Sequence, residues 1–490
     1  MTPRLLVALP IFAVALGGFA ACGTKSEERP VLAREDALDP ATCGTCHEDH
    51  YREWSGSMHA YAGEDPVFIA LNKRLQRETN GALGDFCIRC HAPMAVRDNL
   101  SKDGLNLAEL PPKYRGVTCF FCHTAESVEA LHNNGLTSSN DHGVMRGAFS
   151  DAVPNDAHRS AKSPLHDQTN LDSSSRMCGS CHDIVTPGGA HIERTFAEWS
   201  QSLFATETGQ SCGSCHMKPS EGLQPVANVP GVFARRSHSH TFAGVDRALT
   251  PFPNMEAQKS EIQELLDASL QASLCVSRRG SSAQIRVILD NVFAGHSFPS
   301  GSSSDRRVWV ELVARNAGQI VYQSGFVPDG QPVLDGPSDP DLWLMRDLVF
   351  DGAGKETHLF GLATCYESRI LPFPITADRS DPAFYQRNIV RDFPKDGSFI
   401  AAPETVSMRV RILPVGFDVL DDLIASGDLD PSIRGNMEAM QVGPTLEWTP
   451  GISPPIIEPQ TGTLYECVTK TNQDFRADKF PPPTENTCKR

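Results

Sequence analysis

Five C-x-x-C-H motifs lie between Cys43 and His216: Cys43-Gly-Thr-Cys46-His47, Cys87-Ile-Arg-Cys90-His91, Cys119-Phe-Phe-Cys122-His123, Cys178-Gly-Ser-Cys181-His182 and Cys212-Gly-Ser-Cys215-His216. On a helical turn, cysteines at i and i+3 share one face and can form thioethers to the two vinyl groups of a single haem. The histidine at i+4 then reaches the iron from below the ring, so the motif is the attachment signature of a c-type haem. Structural zinc would need the cysteine pairs to combine in twos to reach four ligands, and five is an odd number to pair. A redox C-x-x-C gives no reason for a histidine after every pair. The sequence therefore predicts five haem c groups, with His47, His91, His123, His182 and His216 as the proximal iron ligands.

Little of the region around the motifs could build a protein core. Helical periodicity is short, over Phe68 to Thr79 and over Arg194 to Thr206, where Phe196, Trp199 and Leu203 share a face. Long stretches rich in Asn, Ser, Gly and Pro separate these patches, so porphyrin is expected to supply most of the interior. Sixteen histidines stand in the chain, and those outside the motifs are the pool from which second, distal ligands would come.

Upstream, Met1–Arg4 is basic and Leu5 to Ala21 is apolar but interrupted by Pro10 and Gly17-Gly18, which predicts a signal peptide over 1–21 rather than a membrane span. Phe19-Ala20-Ala21-Cys22-Gly23 resembles a bacterial lipobox, which implies lipidation of Cys22, a tether over 22–42, and a membrane-anchored lipoprotein facing the periplasm or the cell surface. Downstream of a haem domain at 43–245, Ile262, Leu265, Leu266 and Leu270 recur at helical spacing and predict a connecting helix within 246–274. The period then falls to two: Ile285, Val287 and Leu289; Val308, Val310 and Leu312; Val406, Met408, Val410 and Ile412, with Ser407, Arg409 and Arg411 expected to face out. The expected fold class is α+β, an irregular, mainly helical and loop pentahaem domain followed by an all-β, sandwich-like domain at 275–450 and a proline-rich tail at 451–490. Four cysteines are left, Cys275, Cys365, Cys467 and Cys488, which allow three pairings. Cys467–Cys488, stapling the tail, with Cys275–Cys365 is the expected one.

Several segments go further. Tyr51-Arg-Glu-Trp54-Ser-Gly-Ser57-Met-His59-Ala60 resembles the multihaem c-type cytochromes related to the tetrahaem electron carrier that accepts electrons from hydroxylamine oxidoreductase. In that family the histidine of such a segment binds the far face of another haem, which makes His59 a distal candidate. Asn-Asp-Ala-His158 and Ser-Pro-Leu-His166 stand where the family places a ligand before a C-x-x-C-H-D motif, His158 being preferred. Arg235-Arg-Ser-His238-Ser-His240-Thr-Phe-Ala-Gly244 resembles the family's ending of the haem domain and adds His238 and His240. Asn291-Val-Phe-Ala-Gly295-His296-Ser-Phe-Pro-Ser-Gly301 resembles a loop from the β domain of larger relatives. It adds His296, held between two glycines that permit sharp turns. His142 completes the distal candidates.

The expected function is electron transfer along closely spaced, mostly bis-His haems to unidentified redox partner proteins, with no catalytic residue assigned. The alternative is a multihaem oxidoreductase of nitrogen or sulfur compounds with one open haem. All five motifs end in His, so the C-x-x-C-K signature of pentahaem nitrite reductases is absent. With 60 acidic against 44 basic residues and a net charge of −16, the chain is not built to bind nucleic acid or an anionic membrane surface.

Overall fold

The computed structural model describes residues 31–378, 380–385, 389–458, 460–469 and 486–488. The expected signal peptide and Cys22 lie outside the described residues. The expected tether is shorter than 22–42. Helical turns occupy Arg34–Ala37 and Pro40–Gly44, and Leu38 is fully buried in a cluster with Phe68, Ile88, Met94, Phe120 and Leu165. Ala37 joins the same cluster and Leu32 packs against it, while Arg34 pairs with Asp98.

The haem-motif region consists of short helices joined by loops. Its longest helix, Pro66–Glu78, starts where the Asp65 side chain accepts from the Val67 amide and Pro66 presets the first turn. The expected helix over Arg194 to Thr206 is broken. It runs Thr195–Gln201, and Ser202 is extended with its hydroxyl accepting the Phe204 amide. Phe196, Trp199 and Phe204 still share one apolar cluster.

A helix at Met255–Ser269, burying Ile262 and Leu266, leads into the β part. Two sheets face each other there. One places Ile389–Phe393, Ser282–Asn291, Leu270–Arg279, Leu464–Thr469 and Ile456–Ile457 side by side; the other places Gln319–Ser324, Arg307–Asn316, Thr405–Leu413 and Met440–Trp448. The register Val308↔Ile412, Val310↔Val410 and Leu312↔Met408 sends the period-two residues inward, against Leu274, Val276, Ile285, Val287 and Leu289 of the first sheet.

Three expectations are corrected here. The sheet begins at Leu270 rather than 275, and the proline-rich tail is not outside it. Leu464–Thr469 pairs with Leu270–Arg279, placing Cys467 directly opposite Cys275. The disulfides are accordingly Cys275–Cys467 and Cys365–Cys488, not Cys467–Cys488 with Cys275–Cys365. The strand itself holds no proline; the six prolines of 451–490 lie on either side of it. Finally, Arg411 does not face solvent. It is buried over the Trp309 ring and paired with Glu311 and Asp329, because the helix Phe417–Ala425 covers that outer face and meets Val67 and Ala70 of the motif region in one cluster.

The two parts are joined by ion pairs and hydrogen bonds. Arg77 binds Asp428 through two bonds of 2.6 Å each, Arg306 binds Asp246 through two of 2.8 Å, and Tyr61 meets Thr250 at 2.6 Å. Among the described residues no helix is long and apolar enough to cross a membrane.

Candidate functional site

Each C-x-x-C-H motif sits on a helical turn, as its chemistry requires. The His47 amide donates to the Cys43 carbonyl at 2.9 Å and that of His182 to Cys178 at 3.0 Å. Thr118 caps the turn Cys119–His123, and Ser211 caps Cys212–His216 through a reciprocal box with Ser214.

Four of the five motif histidines bond a backbone carbonyl through Nδ1: His47 to Val226 at 2.7 Å, His91 to Ala62 at 3.1 Å, His123 to Arg146 at 2.5 Å and His216 to Ala243 at 2.7 Å. A donor at Nδ1 leaves Nε2 with its lone pair and fixes the ring's orientation, which is the arrangement of a metal-ligating histidine. Burial pushes His182 down to about 4 and His59 down to about 3, and keeps both neutral.

The spacing of the rings is more selective. A metal–imidazole bond of about 2.0–2.1 Å, plus about 1.1 Å from nitrogen to ring centre, sets two imidazoles on opposite sides of one metal about 6.3 Å apart between centres. The rings of His47 and His158 are 6.3 Å apart, His59 and His182 6.2 Å, His123 and His240 6.4 Å, and His216 and His296 6.5 Å. Of the six distal candidates, the structure brings these four, His59, His158, His240 and His296, opposite a motif histidine. His158, His240 and His296 also bond a carbonyl through Nδ1, those of Arg159, His238 and Ser297. The residues present thus fit haem c in both covalent and axial donors.

The other two candidates are placed elsewhere. His238 turns its Nδ1 to the Met217 carbonyl at 2.8 Å, and His142 is half-buried in a loop. Neither has a motif histidine opposite it among the described residues. His50 is 6.2 Å from His47, but it lies on the helix that His47 caps, and its ring is 4.5 Å from that of His240. His166 is 5.0 Å from His123, too close to leave room for a metal, and its Nε2 is used by the Cys122 carbonyl.

His91 differs from the other motif histidines. Its ring is stacked on Phe68 at 4.0 Å and 4°, and among the described residues no imidazole stands at the 6.2–6.5 Å spacing from it.

The thiols give the spatial order of the motifs. Cys119 lies beside Cys43, Cys90 beside Cys181, and Cys178 beside Cys212, while Cys122 neighbours Cys181 and Cys178. The first motif therefore adjoins the third, the third the fourth and the fourth the fifth, with the second branching from the fourth.

Sequence reasoning missed Phe68, Phe242 and Glu193. Phe242 has a left-handed backbone (φ 49°) and touches both His59 and His240, at 4.4 and 5.7 Å between ring centres. Its place in the His238-Ser-His240-Thr-Phe segment was the available signal. Nothing in the sequence marks Phe68 or Glu193.

A family model described as "Cytochrome c554 and c-prime" matches residues 42–124, which hold the first three motifs. A solved structure, a penta-heme cytochrome c552 from Thermochromatium tepidum, is similar with a TM-score of 0.55 at 19% identity, covering 84% of this chain and 99% of that one. No curated protein matches the chain. The family match covers the segment that carries the first three motifs, and the likeness to the solved structure is one of fold.

Proposed function

We propose that the chain is an exported pentahaem c-type cytochrome that moves electrons between redox partner proteins, anchored to a membrane through a lipid on Cys22 and facing the periplasm or the cell surface. The observation that carries this reading is the set of four imidazole pairs at 6.2–6.5 Å, each containing one motif histidine. Haem c, when bound, supplies a one-electron ferric/ferrous couple whose potential the axial ligands tune. The chain's own contribution is to hold His47 with His158, His182 with His59, His123 with His240 and His216 with His296 as axial pairs. It also sets the attachment sites in an unbroken row, and electrons would follow that order: first motif, third, fourth, fifth.

One observation favours a second reading alongside the first. His91 has no imidazole opposite it among the described residues, so the group that Cys87 and Cys90 would hold would take His91 as its one histidine ligand and could leave a position for a small molecule. That is the arrangement an oxidoreductase needs, and it lies on the branch rather than on the row. Intact-mass measurement of the matured protein tests the common premise. Five covalent haems are expected; four or fewer in fully matured material would overturn it.

A further inference from the structure

Where the branch meets the β part, Glu193 is half-buried. Its backbone is left-handed (φ 49°), a conformation that bulky residues adopt only when their surroundings impose it, and such residues gather at functional sites. With Glu198, Ser300 and Ser303 it lines a cavity of about 20 Å³ between the segment 191–198 and the loop after His296. That is room for a single water.

The charges that face Glu193 come from every side. From the β part come Arg306 and Asp305, whose carboxylate accepts from the Ser302 hydroxyl at 3.1 Å; from the join between the two parts comes Asp246. From the motif region come Cys87 and Cys90, both of which Glu193 raises. His191, Arg194, Glu198, Asp347 and Tyr366 stand in the same cavity wall. Arg306 does not neutralise Glu193, because both ends of its guanidinium fork are taken by Asp246 at 2.8 Å. A half-buried carboxyl without a cation of its own, beside other carboxylates, holds a proton more readily than a solvated one. Burial, opposed by Arg306 and reinforced by Asp305 and Asp246, pushes Glu193 up to about 7.

We infer that Glu193 is the proton acceptor coupled to reduction of the haem held by Cys87, Cys90 and His91, the interdomain cavity being its path to solvent. One electron would reach that haem from the one attached at Cys178 and Cys181, while the Glu193 carboxylate takes one proton from bulk solvent, relayed by the cavity water and leaving no hydroxide behind, so the site would gain no net charge. Glu193 touches neither the iron nor a ligand of it and acts as a positioning residue for charge. The inference rests on the reading of His91 as the single-imidazole site.

The test is a potentiometric titration of the holoprotein at several pH values, following the high-spin absorbance of that haem. A tenfold change in proton activity is worth about 59 mV for a one-electron, one-proton couple, so the wild-type potential is expected to fall toward that slope as pH rises through about 7. Glu193→Gln should abolish the slope with haem content unchanged, and Glu193→Asp, which keeps a carboxyl, should restore it. A flat wild-type potential, or a slope that survives Glu193→Gln and so belongs to another group, overturns the proposal. Absence of any high-spin haem would instead overturn the reading it rests on. Should Glu193→Gln fail to fold, redox-difference infrared spectroscopy of the wild type decides, since reduction must produce a protonated carboxyl band.

Discussion

His296→Ala is expected to leave five covalent haems in place and to convert one of them from low to high spin. The thioethers do not involve His296, so attachment survives. What is lost is the imidazole facing His216 at 6.5 Å with the ring planes 9° apart. The loop that presents His296 is built for this. Gly295 and Gly301 take left-handed φ values of 77° and 70° at its two ends, and the Asn291 side chain donates to the His296 carbonyl at 2.6 Å. Across the boundary, Glu198 of the motif region accepts from the Ser297 amide and the Ser300 hydroxyl, both at 3.1 Å. The loop that carries His296 is thereby tied across the boundary to the motif region. Losing an imidazole donor favours ferrous iron, so the potential of that haem should rise. Electron paramagnetic resonance of the oxidised variant reads the spin change; a spectrum still wholly like the wild type would remove His296 from the ligand set.

The paired substitution Cys275→Ala with Cys467→Ala is expected to lower the stability of the β part by about 2–5 kcal/mol. The bond joins the first strand of the sandwich to the last, across 192 residues of sequence, so nearly the whole β part is the loop whose freedom it restricts in the unfolded chain. Both cysteines are buried with Ile288 and Tyr465, and alanine at both positions leaves no unpaired thiol. Denaturant unfolding followed by tryptophan fluorescence, with haem content as a control, measures the effect. A loss below about 1 kcal/mol would mean that the ladder from Leu464 to Thr469 holds without it.

How much of this was legible in the sequence depended on whether the signal was local. The motif spacing is a property of one helical turn, so Cys43 to His216 could be read directly. The alternation of Ile285, Val287 and Leu289 sets a strand and its inner face within five residues, whatever lies opposite. The pairing of the histidines is not local. His59 follows the first motif yet faces the fourth, and His240 faces the third from the end of the domain. Resemblance could nominate both residues, but only the folded chain assigns their partners. The disulfides are non-local for the same reason: Cys467 stands in a proline-bearing tail, and an inserted strand is recognised only by the neighbour it pairs with. Glu193 carried no signal, since burial and a left-handed backbone leave no mark on a glutamate in a sequence.

The central claim is four iron sites with two imidazoles and one, at His91, with a single imidazole. Carbon monoxide titration of the fully reduced holoprotein tests it most directly, because the gas binds ferrous haem only where an axial position is free. The account predicts one carbon monoxide bound rapidly for every five haems. No rapid binding, or binding to two or more haems, would contradict it.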